Sequence, residues 1–85
     1  MIPTRTDVMA MIRVHLASEF AVPPESITEL TDIRRDLDVE SIDVHALEHA
    51  IETTFRVPIS FRADRVATVG DAVESVMELL RRADR

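Results

Sequence analysis

The sequence predicts an all-α fold, a small four-helix bundle of three main helices and one short one. Two observations lead there. Glycine is used once and proline four times in 85 residues, and apolar residues recur at helical spacing over long stretches with no convincing strand pattern between them. The length suits a single domain over residues 1–85, large enough for one core and too small for a core plus a deep catalytic cleft. No internal repeat or low-complexity tract interrupts it.

The first helix is expected to start after Thr4 or Thr6, either of which suits an N-cap, with Asp7 in the first turn. Val8, Ile12, Leu16 and Phe20 recur every four residues, flanked by Met9 and Met11, and Pro23 and Pro24 end the pattern. The stretch 22–37 is a long connection. Its anchors Val22, Ile27, Leu30, Ile33 and Leu37 imply that it packs over the bundle, with room for a short turn of helix. A second main helix is expected from Ser41 to Phe55, stopping before Pro58. At about 100° per residue, Val44, Leu47, Ile51 and Phe55 fall within about 80° of one another, a core stripe. A short element near 60–66 follows, with Ser60 as its N-cap. The last helix opens on Thr68-Val-Gly-Asp71, a capping-box-like start, and places Val69, Ala72, Val73, Val76, Leu79 and Leu80 at helical spacing. Arg81 and Arg82 near its end complement the helix dipole.

Composition excludes several function classes. With no cysteine there is no disulfide, no Cys-based zinc site and no Cys nucleophile. No apolar run approaches membrane-spanning length and no leader pattern opens the chain, so a cytoplasmic protein without a membrane span is expected. The net charge is −6, all ten basic residues are Arg, and residues 36–52 hold six acids (Asp36, Asp38, Glu40, Asp43, Glu48, Glu52) and no Arg. The ten remaining acids balance the ten arginines, so the whole net charge arises in that one stretch. Such a patch repels phosphate backbones and steers toward basic protein surfaces. Three Phe and no Trp or Tyr also argue against base stacking, so no nucleic-acid partner is expected. A merely solvated helix face is the competing explanation of the patch.

Residues 36–49, "DLDVESIDVHALEH", present two candidate chemistries. His45, Glu48 and His49 spell H-x-x-E-H, and two His four apart share a helix face, as two ligands of one zinc would. The helical wheel, however, sets both His on the solvent side, roughly opposite Leu47 and Ile51. A third ligand is also lacking, since nothing in their spacing recommends Glu74 or Glu78. No metal site is therefore expected, and His15, at the edge of the first helix's stripe, is expected to be structural. Ser41 is the second candidate. It has no partner for nucleophilic catalysis, since His45 lies a turn away with nothing evident to orient it. No enzymatic activity is expected, and if Ser41 reacts, another enzyme must activate it. A serine at a helix N-terminus suits phosphorylation or phosphopantetheinylation, because free N–H groups and the dipole end favour an added phosphodiester. A plain capping or first-turn serine is the bland alternative. Ile42, apolar, beside Ser41 and away from the core stripe, points to a partner contact.

These residues carry a family resemblance. "DLDVESID" at 36–43 resembles the D-L-G-x-D-S-L-[DE] motif of acyl carrier proteins, with Ser41 at the serine that bears 4′-phosphopantetheine. "VPPESITELTDIRRDL" is similar to the family's loop between its first two helices. "LEHAIETTFRVPIS" resembles its recognition helix and following loop, and "VATVGDAVESVMELL" its final helix. The resemblance implies a non-enzymatic, monomeric carrier. A phosphopantetheinyl transferase would modify Ser41 from coenzyme A, and the terminal thiol would hold acyl intermediates as thioesters. It implies docking by Glu40, Ile42, Asp43, His45, Glu48, His49 and Glu52 onto basic patches of acyl-processing synthases, transferases and ligases. It also implies acyl-chain lining by Leu47, Ile51, Phe55, Ile59 and Val73. Three departures stand out: Asp38 replaces the motif's glycine, Glu40 its aspartate, and His45 and His49 occupy docking positions that are often apolar. They suggest dedicated partners in polyketide, modified-lipid or other specialised pathways as readily as fatty-acid biosynthesis. An unmodified acidic docking module and a peptidyl or aminoacyl carrier are the alternatives.

Overall fold

Thr4 starts the first helix. Its Oγ1 accepts from Asp7 N (3.2 Å) while Asp7 Oδ2 accepts from Thr4 N (2.9 Å), a reciprocal box that satisfies two amides helix geometry would leave unpaired. The structure is a computed structural model that describes residues 2–62 and 65–83. Its helices are α1 (Arg5–Phe20), α2 (Ile33–Leu37), α3 (Ser41–Phe55) and α4 (Val69–Ala83), with a 3₁₀ turn at Pro24–Ser26. Among the described residues no strand forms, and no helix is long and apolar enough to cross a membrane. The all-α bundle of three long helices and one short one is as the sequence predicts. α1 packs on both α3 and α4. Val8 and Ile12 of α1, Ile51 of α3 and Val69, Ala72, Val73 and Val76 of α4 form the fully buried centre.

The short helix sits elsewhere than expected. Around 60–66 the described residues hold one turn, in which Arg65 N and Val66 N both donate to Arg62 O at 2.9 Å. Ala63 and Asp64 lie outside the described residues. No helix starts at Ser60, and the reason is visible: α3 carboxylates take up the backbone amides of the preceding segment. Glu52 Oε1 accepts from Ile59 N (3.2 Å) and Glu48 Oε2 from Phe61 N (2.6 Å). The short helix is α2, inside the stretch read as a connection. Asp32 caps it by accepting from Arg34 N (3.1 Å) and Arg35 N (2.8 Å).

Leu30 is no anchor. It is 85% exposed, because the backbone from Thr28 to Thr31 closes into a turn with Leu30 at its tip. Thr28 N donates to Thr31 Oγ1 (2.9 Å), and Leu30 N to Thr28 Oγ1 (3.2 Å). The other four expected anchors do pack inward, with Ile27 and Ile33 buried and Val22 and Leu37 half-buried.

Two backbone hydrogen bonds join the starts of α2 and α4: Ile33 N to Ala67 O and Val69 N to Thr31 O, both 2.9 Å. They make a single antiparallel bridge between Asp32 and Thr68. Gly70 N donates to Glu29 O at 2.9 Å, and a Cβ at Gly70 would come within 3.0 Å of that same oxygen. The chain's one glycine is thus placed for close backbone approach.

All three of α1, α2 and α3 end on left-handed residues that are not glycine: Ala21 (φ 53°), Asp38 (φ 55°) and Arg56 (φ 58°). Ala21 and Arg56 are the caps that stop α1 and α3, so α1 ends before the prolines are reached. Asp38 stands where the resembled motif has glycine. Its backbone does take the conformation glycine favours there, and aspartate is among the side chains that best tolerate it.

Candidate functional site

α3 begins where Asp38 turns the chain and Val39 packs into the core. Glu40, extended at φ −98° and ψ 173°, is the N-cap residue, and Asp43 Oδ2 accepts from its backbone N–H (3.0 Å). Ser41 is therefore the first residue inside the helix, not its cap. It is exposed, and no side-chain hydrogen bond engages its Oγ among the described residues. The capping role thus belongs to its neighbours, and Ser41 is a first-turn residue. His45, one turn on, is oriented by Glu48, its Nδ1 atom 2.9 Å from Oε1, but among the described residues no hydrogen bond joins its ring to Ser41.

The expected docking residues separate into three kinds. Ile42 is 74% exposed, and Glu40, His45, His49 and Glu52 are exposed too, although Glu52 also holds Ile59 N. Asp43 is half-buried and occupied with the helix start. Glu48 departs from the expectation. It is 8% exposed, and its carboxylate is shared between His45 and the Phe61 amide. The sequence signal was available: Glu48 lies four residues after Val44 and three before Ile51, on the edge of the stripe those residues define. Its charge masked its position.

A cavity of about 30 Å³ lies close to this helix start. Its apolar walls come from Leu16 of α1, Ile33 of α2, Val39, Val44 and Leu47 of α3, and Phe61 and Val66 of the following segment, with Arg34, Asp43 and Arg62 as polar members. Of the five expected lining residues only Leu47 is among these. Ile51 and Val73 are fully buried in the centre of the bundle, Ile59 is packed beside them, and Phe55 lies at the far end of α3. The resemblance that named these residues could not tell a filled core position from one beside a void.

Several charged groups outside α3 are paired with one another or with backbone amides. Arg5 bonds Glu29 and, at 2.6 Å, Glu74, and both carboxylates raise its pKa further. Arg81 (3.1 Å) and Arg5 together hold the Glu74 carboxyl below the usual range. Glu78 pairs with Arg82 at 2.5 Å. Asp71 Oδ2 accepts from Thr68 N and Ala67 N, each 3.0 Å, which lowers its pKa as well as starting α4. Among the described residues no three His, Asp or Glu side chains are placed to share a metal ion. His15 is half-buried, and its Nε2 is buried without a hydrogen-bond partner.

No protein-family model matches the chain. Similar curated proteins do. The chain is 30% identical over 79 residues to an acyl carrier protein of Saccharopolyspora erythraea, an alignment covering 92% of this chain and 83% of that one. To an acyl carrier protein of Lactobacillus acidophilus it is 35% identical over 71 residues, 82% of this chain and 89% of the relative. To that of Phenylobacterium zucineum the figures are 33% over 76 residues, 88% and 96%. With a four-helix bundle, an exposed serine opening an acid-bearing helix, and relatives at this identity along most of both chains, the chain belongs to the acyl carrier protein family.

Proposed function

We propose that this chain carries acyl intermediates as thioesters on a 4′-phosphopantetheine arm attached to Ser41. The observation that carries the reading is the helix start itself. Ser41 is exposed in the first position of α3, while Glu40 and Asp43 close the terminus without its hydroxyl. The residues present fit the group: the positive end of α3 favours a phosphodiester on Ser41. When bound, the group supplies a flexible arm ending in the thiol that a cysteine-free chain lacks.

Loading joins Ser41 Oγ to the phosphopantetheine phosphorus of coenzyme A and releases adenosine 3′,5′-bisphosphate. The hydroxyl proton passes to a base of the transferase, since among the described residues no side-chain base of this chain is hydrogen-bonded to Ser41. The chain itself catalyses nothing in this scheme. Acyl-processing enzymes with basic patches meet it through Ile42, Glu40, His45, His49 and Glu52, the exposed members of the expected docking set. Glu48, turned inward, takes no direct part. Imidazoles at 45 and 49 and glutamate at 40 favour dedicated partners in fatty-acid, polyketide or specialised lipid biosynthesis.

The test is intact mass after incubation with coenzyme A and a broad-specificity transferase. A gain of one phosphopantetheine group, absent in Ser41→Ala, is expected. No gain with several transferases refutes the carrier and leaves an unmodified acidic docking module, the reading that Glu40 in place of aspartate would then favour.

A further inference from the structure

Glu48 is the buried charged residue of the described chain, and the function proposed above does not use it. An ionised carboxylate is kept out of water only where bonds replace hydration. Here Oε2 accepts from Phe61 N at 2.6 Å and Oε1 lies 2.9 Å from Nδ1 of His45, whose side chain is 80% exposed. The Phe61 bond spans thirteen residues of sequence and fastens a segment without helix to α3. Two residues earlier, Glu52 fastens Ile59 N in the same way.

What that segment does is form a wall. Phe61 and Val66 close one side of the cavity of about 30 Å³, facing Val44 and Leu47. Space of that size admits about two water molecules, far less than a long alkyl chain. The other walls are borne on helices or are buried residues such as Leu16, Ile33 and Val39, whose displacement would disturb the core. The cavity therefore enlarges most readily by outward movement of Phe61. Glu48 opposes that movement through a charge-assisted bond, the stronger kind.

We propose that Glu48 is a specificity-determining residue for the cargo: it latches the Phe61 wall and so restricts the acyl groups sheltered beside α3 to short ones. This rests on the carrier reading of Ser41.

Two measurements test it. In the unmodified protein, Glu48→Val suits the buried site but removes the acceptor. It is expected to speed hydrogen exchange at the Phe61 amide by roughly tenfold or more, while Glu48→Gln, which keeps an acceptor oxygen, retains most of the protection. Second, Ser41 is loaded from butyryl-, octanoyl- and hexadecanoyl-coenzyme A, and the methyl NMR signals of Val44, Leu47 and Val66 are followed. In the wild type the butyryl group is expected to shift them and the hexadecanoyl group to leave them near the unloaded positions. In Glu48→Val the longer chains shift them too. Equal response to all three chains in the wild type, no response to butyryl, or an unchanged length pattern in Glu48→Val overturns the inference. The wild-type comparison needs no variant, so a misfolded variant does not protect the idea. A protein that cannot be loaded refutes the carrier reading itself, whereas one that loads but ignores chain length refutes the latch alone.

Discussion

Replacing Ala21 by glycine leaves the α1 terminus with the same hydrogen bonds, Ala21 N and Val22 N both donating to Ala17 O, and removes only one methyl. That methyl is on an exposed residue, so little packing is lost. It does sit on a backbone at φ 53°, ψ 44°, where a Cβ crowds the following carbonyl at about 1–2 kcal/mol. Glycine relieves this but gives the unfolded chain more freedom, an opposing effect of about 0.4–1 kcal/mol. The expected outcome is a net gain of about 0.5–1 kcal/mol. In a chain of this length that raises Tm by roughly 2–8 °C, and it should move the urea midpoint upward without changing the slope. Arg56→Gly, at φ 58°, is expected to behave alike and to add to Ala21→Gly, since the two caps end different helices. Asp38→Gly should gain less, because aspartate already tolerates this conformation. An Ala21→Gly protein no more stable than the wild type would refute the account of these caps.

Gly70→Ala should act in the opposite direction. Its Cβ would come within 3.0 Å of Glu29 O and 3.2 Å of Glu29 Cβ. Holding them apart means loosening the Gly70 N to Glu29 O bond, at a cost of about 1–3 kcal/mol, readable in the same urea titration. Asp71 gives a pH dependence. The Thr68 and Ala67 amides hold its carboxyl below the ordinary range, so the stabilisation is present above the unfolded value of about 4 and is lost as pH falls through the lower folded one. Asp71→Asn is expected to reduce stability by about 1 kcal/mol at neutral pH and to flatten the loss below about pH 4. An acid limb as steep as the wild type's would show that other carboxylates govern it.

Helix existence was legible because long amphipathic periods leave few alternatives: the predicted Ser41–Phe55 span is the α3 observed, and Thr68 and Asp71 box the start of α4 as read. The misplaced pieces are those that long-range bonds decide. A local pattern over 60–66 cannot reveal that Glu52 and Glu48, seven and thirteen residues earlier in sequence, have claimed the amides of Ile59 and Phe61. The apolar character of Leu30 predicts an anchor, yet the threonines at 28 and 31 form a turn that puts it outside. The sequence around Ser41 singles it out as a candidate, whereas the cavity has no such local signal, because its walls are drawn from α1, α2, α3 and the segment after it.

The acidic stretch shows why a count of charges overstates a docking surface. Of its six acids, Asp36 accepts from Asp32 N, Asp43 from Glu40 N, Glu48 from Phe61 N and Glu52 from Ile59 N. Four carboxylates thus hold the fold together at the ends of α2 and α3 and in the segment after α3. Their charges still contribute to the long-range field that steers a basic partner. A close salt bridge with such a partner, however, must compete with a bond already made, and for Glu48 it would require exposing a buried group. Under the proposed function, short-range recognition would therefore fall to the exposed groups around Ser41, above all Glu40 and Ile42, and to the imidazoles at 45 and 49. On the proposed carrier reading, partner choice is set by a small patch beside Ser41, and the net charge of −6 governs the rate of encounter more than its specificity.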